Sequence, residues 1–336
     1  MLRLNCDDGP SVSTSAVTNL LSAVFSHRLV IVSGKGGVGK TTCAGWMALF
    51  AGRSGRRTVA AELDSNAPLA RLFGLEGSLT PVEVLPNLSV ILLDGRRALE
   101  EYLRLVVPGK MLLGAILSSK LYDHFVAAAP GLRELMTLGK VYELLELTSP
   151  KERPEVIVVD GPATGQALSW LRMPFTARET FAGGLVGREA DNIGRMLKNR
   201  RATCAVLVAT PESLAVKETL DCADGLQALG IKLALVILNR FKTVQFTASD
   251  VKLLVRKASR LNSIRCPELI AELALNEVRR AVQSRRSLRL LRSRIKAPVL
   301  ALETQLAVDG SDLVQRVAQA ACSRNAKSGV FFHAFV

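Results

Sequence analysis

The stretch Ser33-Gly34-Lys35-Gly36-Gly37-Val38-Gly39-Lys40-Thr41-Thr42 follows directly on the apolar run Leu29–Val32 and leads into residues with helical periodicity. It fits G-x-x-x-x-G-K-[ST] at Gly34, Gly39, Lys40 and Thr41, and that loop requires a strand before it and a helix after it. Glycines permit the positive-φ turns that aim the N–H groups from Gly36 through Gly37, Val38 and Gly39 inward. The result is an anion nest in line with the N-terminus of the next helix. In that geometry Lys40 bridges the β- and γ-phosphates of a nucleotide, Thr41 ligates Mg²⁺, and Thr42 reaches the α-phosphate.

Working outward, short apolar runs without polar alternation recur at Thr58–Glu62, Leu88–Leu93, Val156–Val159, Cys204–Ala209, Leu233–Leu238 and Pro298–Leu302. Strands buried on both faces read this way, and longer helix-period segments separate them. The expected fold is α/β, a phosphate-loop NTPase with a mostly parallel, doubly wound sheet. A simple crossover needs about a dozen residues, yet about sixty separate Leu93 from Glu155. Arg97–Val106, Met111–Val126 and Leu132–Leu147 carry helical spacing there, and a second helical stretch runs from Thr176 to Arg201. These predict an inserted helical subdomain at about 95–150 and 174–201, standing off the sheet. Residues 1–26 read as an extension with a short helix at Thr18–Phe25, residues 27–325 as the nucleotide-binding domain, and 326–336 as a tail.

Two aspartates end apolar runs. Asp64, in Glu62-Leu63-Asp64-Ser65-Asn66-Ala67-Pro68, lies at the strand edge where ligands bind in open α/β sheets, a place from which a carboxylate orients an attacking water. Its alternative role is a helix cap ahead of Leu69–Phe73. Asp160, in Asp160-Gly161-Pro162-Ala163-Thr164-Gly165, closes Val156–Val159 and has the setting of a carboxylate that holds Mg²⁺ directly or through water.

The pattern Gly-Lys-Gly-Gly-x-Gly-Lys-Thr, with its extra lysine at Lys35, resembles the subclass of phosphate-loop ATPases whose leading lysine crosses a dimer interface. Together with Asp64 and the downstream Leu69-Ala70-Arg71-Leu72-Phe73-Gly74, Asp160–Gly165, and Asn239 after Leu233–Leu238, it resembles the anion-transporting ATPase family. That family includes the arsenite-pump ATPase and the ATPase that guides tail-anchored membrane proteins. The resemblance spans about residues 28–320. It implies ATP hydrolysis with Mg²⁺, with Lys35, Lys40 and Asp64 catalytic and Asn239 at the adenine edge. It further implies a second subunit, either a homodimer or a heterodimer with a paralogue, and a membrane-protein or transporter client. The chain departs from the family's usual Asp-Pro-Ala with Asp64-Ser65-Asn66, and from Asp-Thr-Ala-Pro-Thr-Gly at 160–165. Both aspartates are kept. Its Cys-x-x-Cys is absent, so no zinc site is expected.

Composition agrees with a globular ATPase without singling one out. Apolar residues make up 49% and charged residues 22% of 336, which excludes a disordered or collagen-like chain. The net charge of +14 favours an anionic partner. Cysteines at 6, 43, 204, 222, 266 and 322 have neither a two-residue spacing nor a dense framework, which suits reduced thiols and a cytoplasmic protein. His27, His124 and His333 share no ligand spacing. Arg279, Arg280, Arg285, Arg286, Arg289, Arg292, Arg294 and Lys296 predict a basic amphipathic helix across 279–296. It lacks the interleaved aromatics of a single-strand platform, so nucleic acid is not singled out. Two other functions fit the same residues: a positioning or partition ATPase acting on DNA or a membrane surface, and a non-catalytic nucleotide-binding subunit of a heterodimer.

Overall fold

Strand β1, Leu29–Gly34, is buried along its whole length, because it is the central member of an eight-stranded sheet and has helices on both faces. The computed structural model describes residues 14–120, 122, 124, 131–181, 184–244, 246–258 and 267–303. The other strands are β2 Thr58–Glu62, β3 Val82–Leu85, β4 Leu88–Leu92, β5 Val156–Ala163, β6 Thr203–Ala209, β7 Leu233–Phe241 and β8 Val299–Glu303. Their order is β3-β4-β2-β5-β1-β6-β7-β8, and every neighbouring pair is parallel except β3 with β4. The chain moves from β1 to one side, returns through β5, and continues on the other side from β6, so the order reverses at β1. Open α/β sheets bind ligands beside such a reversal, at the strands' carboxyl ends.

The mostly parallel doubly wound sheet expected from the apolar runs is what forms. Strand β3 was not among those runs. It is a half-exposed edge strand that pairs antiparallel with β4 through a tight turn at Asn87, whose φ is 68°.

The period-two alternation of β1 divides the core. Leu29 and Ile31 face a layer built from α6 (Leu132–Tyr142), the π-helical turn Glu143–Leu147, α7 (Thr164–Thr180) and α8 (Leu185–Lys198). Val30 and Val32 face α1 (Thr14–Val24) and α2 (Lys40–Arg53). Leu135, Leu138, Val141 and Leu145 recur at helical spacing and are all buried against the sheet. The helical interval is therefore layered: α6 and α8 seal the sheet face directly. Helix α4 (Gly95–Val106) packs outside them through Leu99, Leu103, Leu132 and Met136. Helix α5 (Lys110–Leu117) begins beside Met111, which is almost wholly exposed.

Helix α1 starts earlier than Thr18 and belongs to the core, since Val17, Leu21, Val24 and Phe25 are buried and Phe25 stacks on Phe50 with ring centroids 5.9 Å apart. His27 joins its end to the sheet, its ring nitrogens lying 2.9 Å from the Val24 carbonyl oxygen and 3.1 Å from that of Arg200. The tail 326–336, Cys6, Cys266, Cys322 and His333 lie outside the described residues. The remaining helices among the described residues are α3 (Pro68–Leu72), α9 (Ser213–Leu229), α10 (Ala248–Ala258) and α11 (Pro267–Arg294). Among the described residues no helix is long and apolar enough to cross a membrane.

At the end of β1 the close packing with β6 leaves no room for a side chain. A Cβ at Gly34 would overlap the carbonyl oxygen of Val208 and lie 3.1 Å from Val38 Cγ2. Backbone cannot yield as a flexible side chain does. Gly34→Ala is expected to cost about 3 kcal/mol or more of stability, seen as a lowered midpoint in thermal melting of the nucleotide-free protein.

Candidate functional site

The loop after β1 turns through two glycines with positive φ, Gly37 at 81° and Gly39 at 92°. Gly39 is also the N-cap of α2 and offers no side-chain cap, so the first N–H groups of the helix receive no side-chain acceptor from it. Those groups, with the exposed backbone of Gly36 and Gly37, form a concavity of partial positive charge. The ammonium of Lys40 curls back to donate to the carbonyl oxygen of Lys35 at 3.3 Å. Burial pushes its pKa down and neighbouring Asp160 opposes that shift.

Behind the loop, carboxylates stand on two adjacent strands: Glu62 ends β2, and Asp160 lies three residues before the end of β5. Glu62 on β2 and Asp160 on β5 are register partners, and both are buried. Glu62 accepts from the N–H groups of Leu69 at 2.7 Å and Ala70 at 3.1 Å, and so caps α3 from a distance. Burial raises its pKa and those two bonds pull it down. Asp160 is pushed up to about 6, chiefly by burial; the Thr41 hydroxyl that donates to it and the Lys40 charge pull the other way, while Glu62 and Asp64 add to the rise. One of its oxygens, Oδ1, is buried and has no hydrogen-bond partner among the described residues.

Asp64 sits at the rim, exposed. Its Oδ1 accepts from the backbone and side-chain nitrogens of Asn66 at 2.9 and 3.0 Å, and its carbonyl accepts from Ala67 N–H at 2.9 Å. The N-cap of α3 is Ala67, with φ 51° and no side-chain bond. The alternative reading of Asp64 as a helix cap is therefore corrected: Glu62 supplies the acceptor, and Asp64 folds its own loop so that its carboxylate stays at the sheet's ligand edge.

Comparison with known proteins bears on this arrangement. Residues 27–184 match the family model for the anion-transporting ATPase, a segment that contains the loop, Glu62, Asp64 and Asp160. ATPase BagA of Mycobacterium tuberculosis is 28% identical over 233 residues, covering 65% of this chain and 66% of BagA. The ATPase GET3 of Chaetomium globosum is 24% identical over 278 residues, 70% of this chain and 79% of that protein. The arsenical pump-driving ATPase of Acidiphilium multivorum is 25% identical over 225 residues, 62% of this chain and 38% of that protein. The chain thus spans just under two thirds of the length of BagA.

The matched segment ends between α7 and α8, and two residues beyond it complete the site. Asn239, buried at the end of β7, donates from Nδ2 to the Val38 carbonyl at 2.8 Å and accepts at Oδ1 from Arg240 N–H at 2.9 Å. Its amide keeps a second N–H and a second lone pair. A Cβ at Gly39 would lie 2.6 Å from Asn239 Nδ2, so a glycine is required there on contact as well as on φ. Glu218, in the second turn of α9, meets Lys35 Nζ at 3.4 Å and accepts from the Thr164 hydroxyl at 2.9 Å. Ser33 donates to the Pro162 carbonyl at 2.8 Å, joining the first loop to the segment after Asp160. The thiols of Cys43, Cys204 and Cys222 are buried, and burial pushes each up to about 12, 12 and 11, far from a reactive thiolate. On α11 the inner face is Ala281, Ser284, Ser287, Leu288 and Leu291, which leaves Arg279, Arg280, Arg285, Arg286, Arg289, Arg292 and Arg294 exposed.

Sequence reasoning did not assign Glu62 or Glu218. A signal for Glu62 exists: an acidic residue that ends a fully buried run, seven positions before the body of a helix opened by proline, needs partners inside the protein.

Proposed function

We propose that this chain is a Mg²⁺-dependent ATPase that works as a two-subunit switch in the cytoplasm, coupling ATP binding and hydrolysis to the capture or release of a partner. The observation that carries the reading is the unpartnered, buried Oδ1 of Asp160, set beside the Thr41 hydroxyl and the Lys40 ammonium at the foot of a glycine nest. That donor set is all oxygen, which suits a hard dication such as Mg²⁺, with Thr41 and Asp160 holding it directly or through water. When bound, Mg²⁺ neutralises charge on the triphosphate.

The chain's own residues account for the rest. Backbone N–H groups from Gly34 to Thr42 bind phosphate oxygens, Lys40 leaves the Lys35 carbonyl for the terminal phosphates, and Asp64 orients the attacking water. Asn239 offers its remaining donor and acceptor to the adenine edge. Lys35 reaches the nucleotide of a second subunit as a charge clamp. The step from nucleotide to partner runs through α7: it starts at Thr164, just past Asp160, and its Trp170 donates to Thr137 of α6 at 2.9 Å inside the core. We place the partner-binding layer in the helical segments about 95–150 and 174–201, within an ATPase domain of 27–325. The name of one relative, an arsenical pump-driving ATPase, favours a transporter as the client, and the family resemblance adds a membrane protein as the other.

The exposed arginines of α11 favour a second reading, a positioning ATPase on an anionic surface. Steady phosphate release by the purified chain tests the first. The rate per subunit should climb with protein concentration and vanish with EDTA. A rate per subunit independent of concentration removes the two-subunit scheme, and ATP binding without phosphate release leaves a non-catalytic subunit.

A further inference from the structure

We propose that Glu218 is a positioning residue for Lys35: within one subunit it holds the leading lysine against the segment that follows Asp160, and it must release that lysine before two subunits can share nucleotide. The proposal rests on the two-subunit reading above. Its basis is a three-way contact between parts of the chain far apart in sequence. A single carboxylate on α9 takes the Lys35 ammonium on Oε1 at 3.4 Å and the Thr164 hydroxyl on Oε2 at 2.9 Å. Lys35 opens the phosphate loop and Thr164 opens α7. Both carboxylate oxygens are therefore occupied, each by one of the two loops that border the nucleotide edge.

The strength of the contact suits a reversible hold. The side chains are 28% and 34% exposed, so water screens the pair. A triphosphate offers Lys35 several negative charges in place of one. A nucleotide on a second subunit can thus draw the lysine away, whereas the same subunit's nucleotide lies nearer Lys40. Departure of Lys35 leaves Glu218 bonded to Thr164 alone, so the start of α7 registers the event. The helix that does this follows β6 in a part of the chain beyond the matched family segment.

Glu218→Gln isolates the charge, because a glutamine oxygen still accepts from Thr164 and a neutral amide no longer pairs with Lys35. In nucleotide-free protein, amine acylation followed by peptide mass spectrometry should show Lys35 reacting roughly two- to fivefold faster in E218Q, the factor an exposed ion pair contributes. Exposed Lys252 serves as an internal reference. This readout needs neither ATP nor a second subunit, so it stands apart from the fate of the proposed function. With Mg²⁺ and ATP present, E218Q should dimerise at a protein concentration lowered by about the square of that factor, since each dimer releases two such lysines, and that gain should vanish when Lys35→Ala is added. Unchanged Lys35 reactivity in correctly folded E218Q overturns the hold. Faster labelling with unchanged dimerisation, in a protein whose wild type does dimerise, overturns its control of pairing, as does a gain that survives Lys35→Ala. If the wild type shows no nucleotide-dependent pairing, the two-subunit function falls while the labelling result still decides the contact.

Discussion

Replacing Lys35 with alanine is expected to leave ATP binding within about twofold and to slow hydrolysis about a thousandfold, the lower range for loss of a charge clamp supplied from across an interface. The two lysines of the loop are not equivalent. Lys40 opens α2, is partly buried, and turns inward to the Lys35 carbonyl beside Asp160. The Lys35 side chain points away from that centre to Glu218. A residue so placed adds little to holding its own subunit's nucleotide. Binding of a fluorescent ATP analogue and steady-state phosphate release measure the two quantities separately. A mixing experiment then assigns the lysine to its subunit. When Lys35→Ala is combined with an Asp64→Asn chain, each inactive alone, about a quarter of wild-type activity should return: half of the dimers are mixed and each contains one intact site. No recovery, with mixed dimers demonstrated, places Lys35 in its own subunit's site and ends the trans scheme.

The parts of this molecule that were legible beforehand are those whose cause is local. A glycine that needs positive φ, an Asp that directly follows a buried apolar run and a run of Val and Ile at a sheet centre are each decided within a few residues, and the loop, Asp160 and seven of the eight strands follow from them. The eighth, β3, alternates Val-Glu-Val-Leu at an edge and lacks the apolar continuity of a buried strand. The contacts that organise the site are not local. Glu62 reaches past a loop to cap α3, Asn239 holds Val38 from another strand, and Glu218 joins Lys35 to Thr164. Charge and burial can announce that such residues need partners, but only the strand order says which partners are near. The helical interval shows the same limit. Its periodicity marks apolar faces without saying that those of α6 and α8 lie on the sheet itself.

The carboxylate of Asp160 should have opposite effects on stability and on function, which gives a test of what it is for. Its folded pKa, about 6, lies above the ordinary value of 3.8 because burial disfavours the charged form. Between those two values the folded chain binds more protons than the unfolded one. Stability of the metal-free protein therefore falls as pH rises through that window, and the full penalty, about 3 kcal/mol, is in place above pH ~7. Asp160→Asn removes the charge, keeps an oxygen for the Thr41 hydroxyl, and should melt several degrees higher than wild type in EDTA at pH 8. The advantage should shrink as pH falls through the window and vanish by about pH 3, below both values, where the wild-type carboxyl is protonated in both states. With Mg²⁺ and ATP the order should reverse. The wild type gains stability from a ligand that binds only the folded state, while the variant loses about 10- to 100-fold in metal-dependent affinity or rate. An Asp160→Asn protein that is less stable than wild type in EDTA at pH 8 would mean that the carboxylate serves the fold, through Thr41, and that the site was not built around a dication.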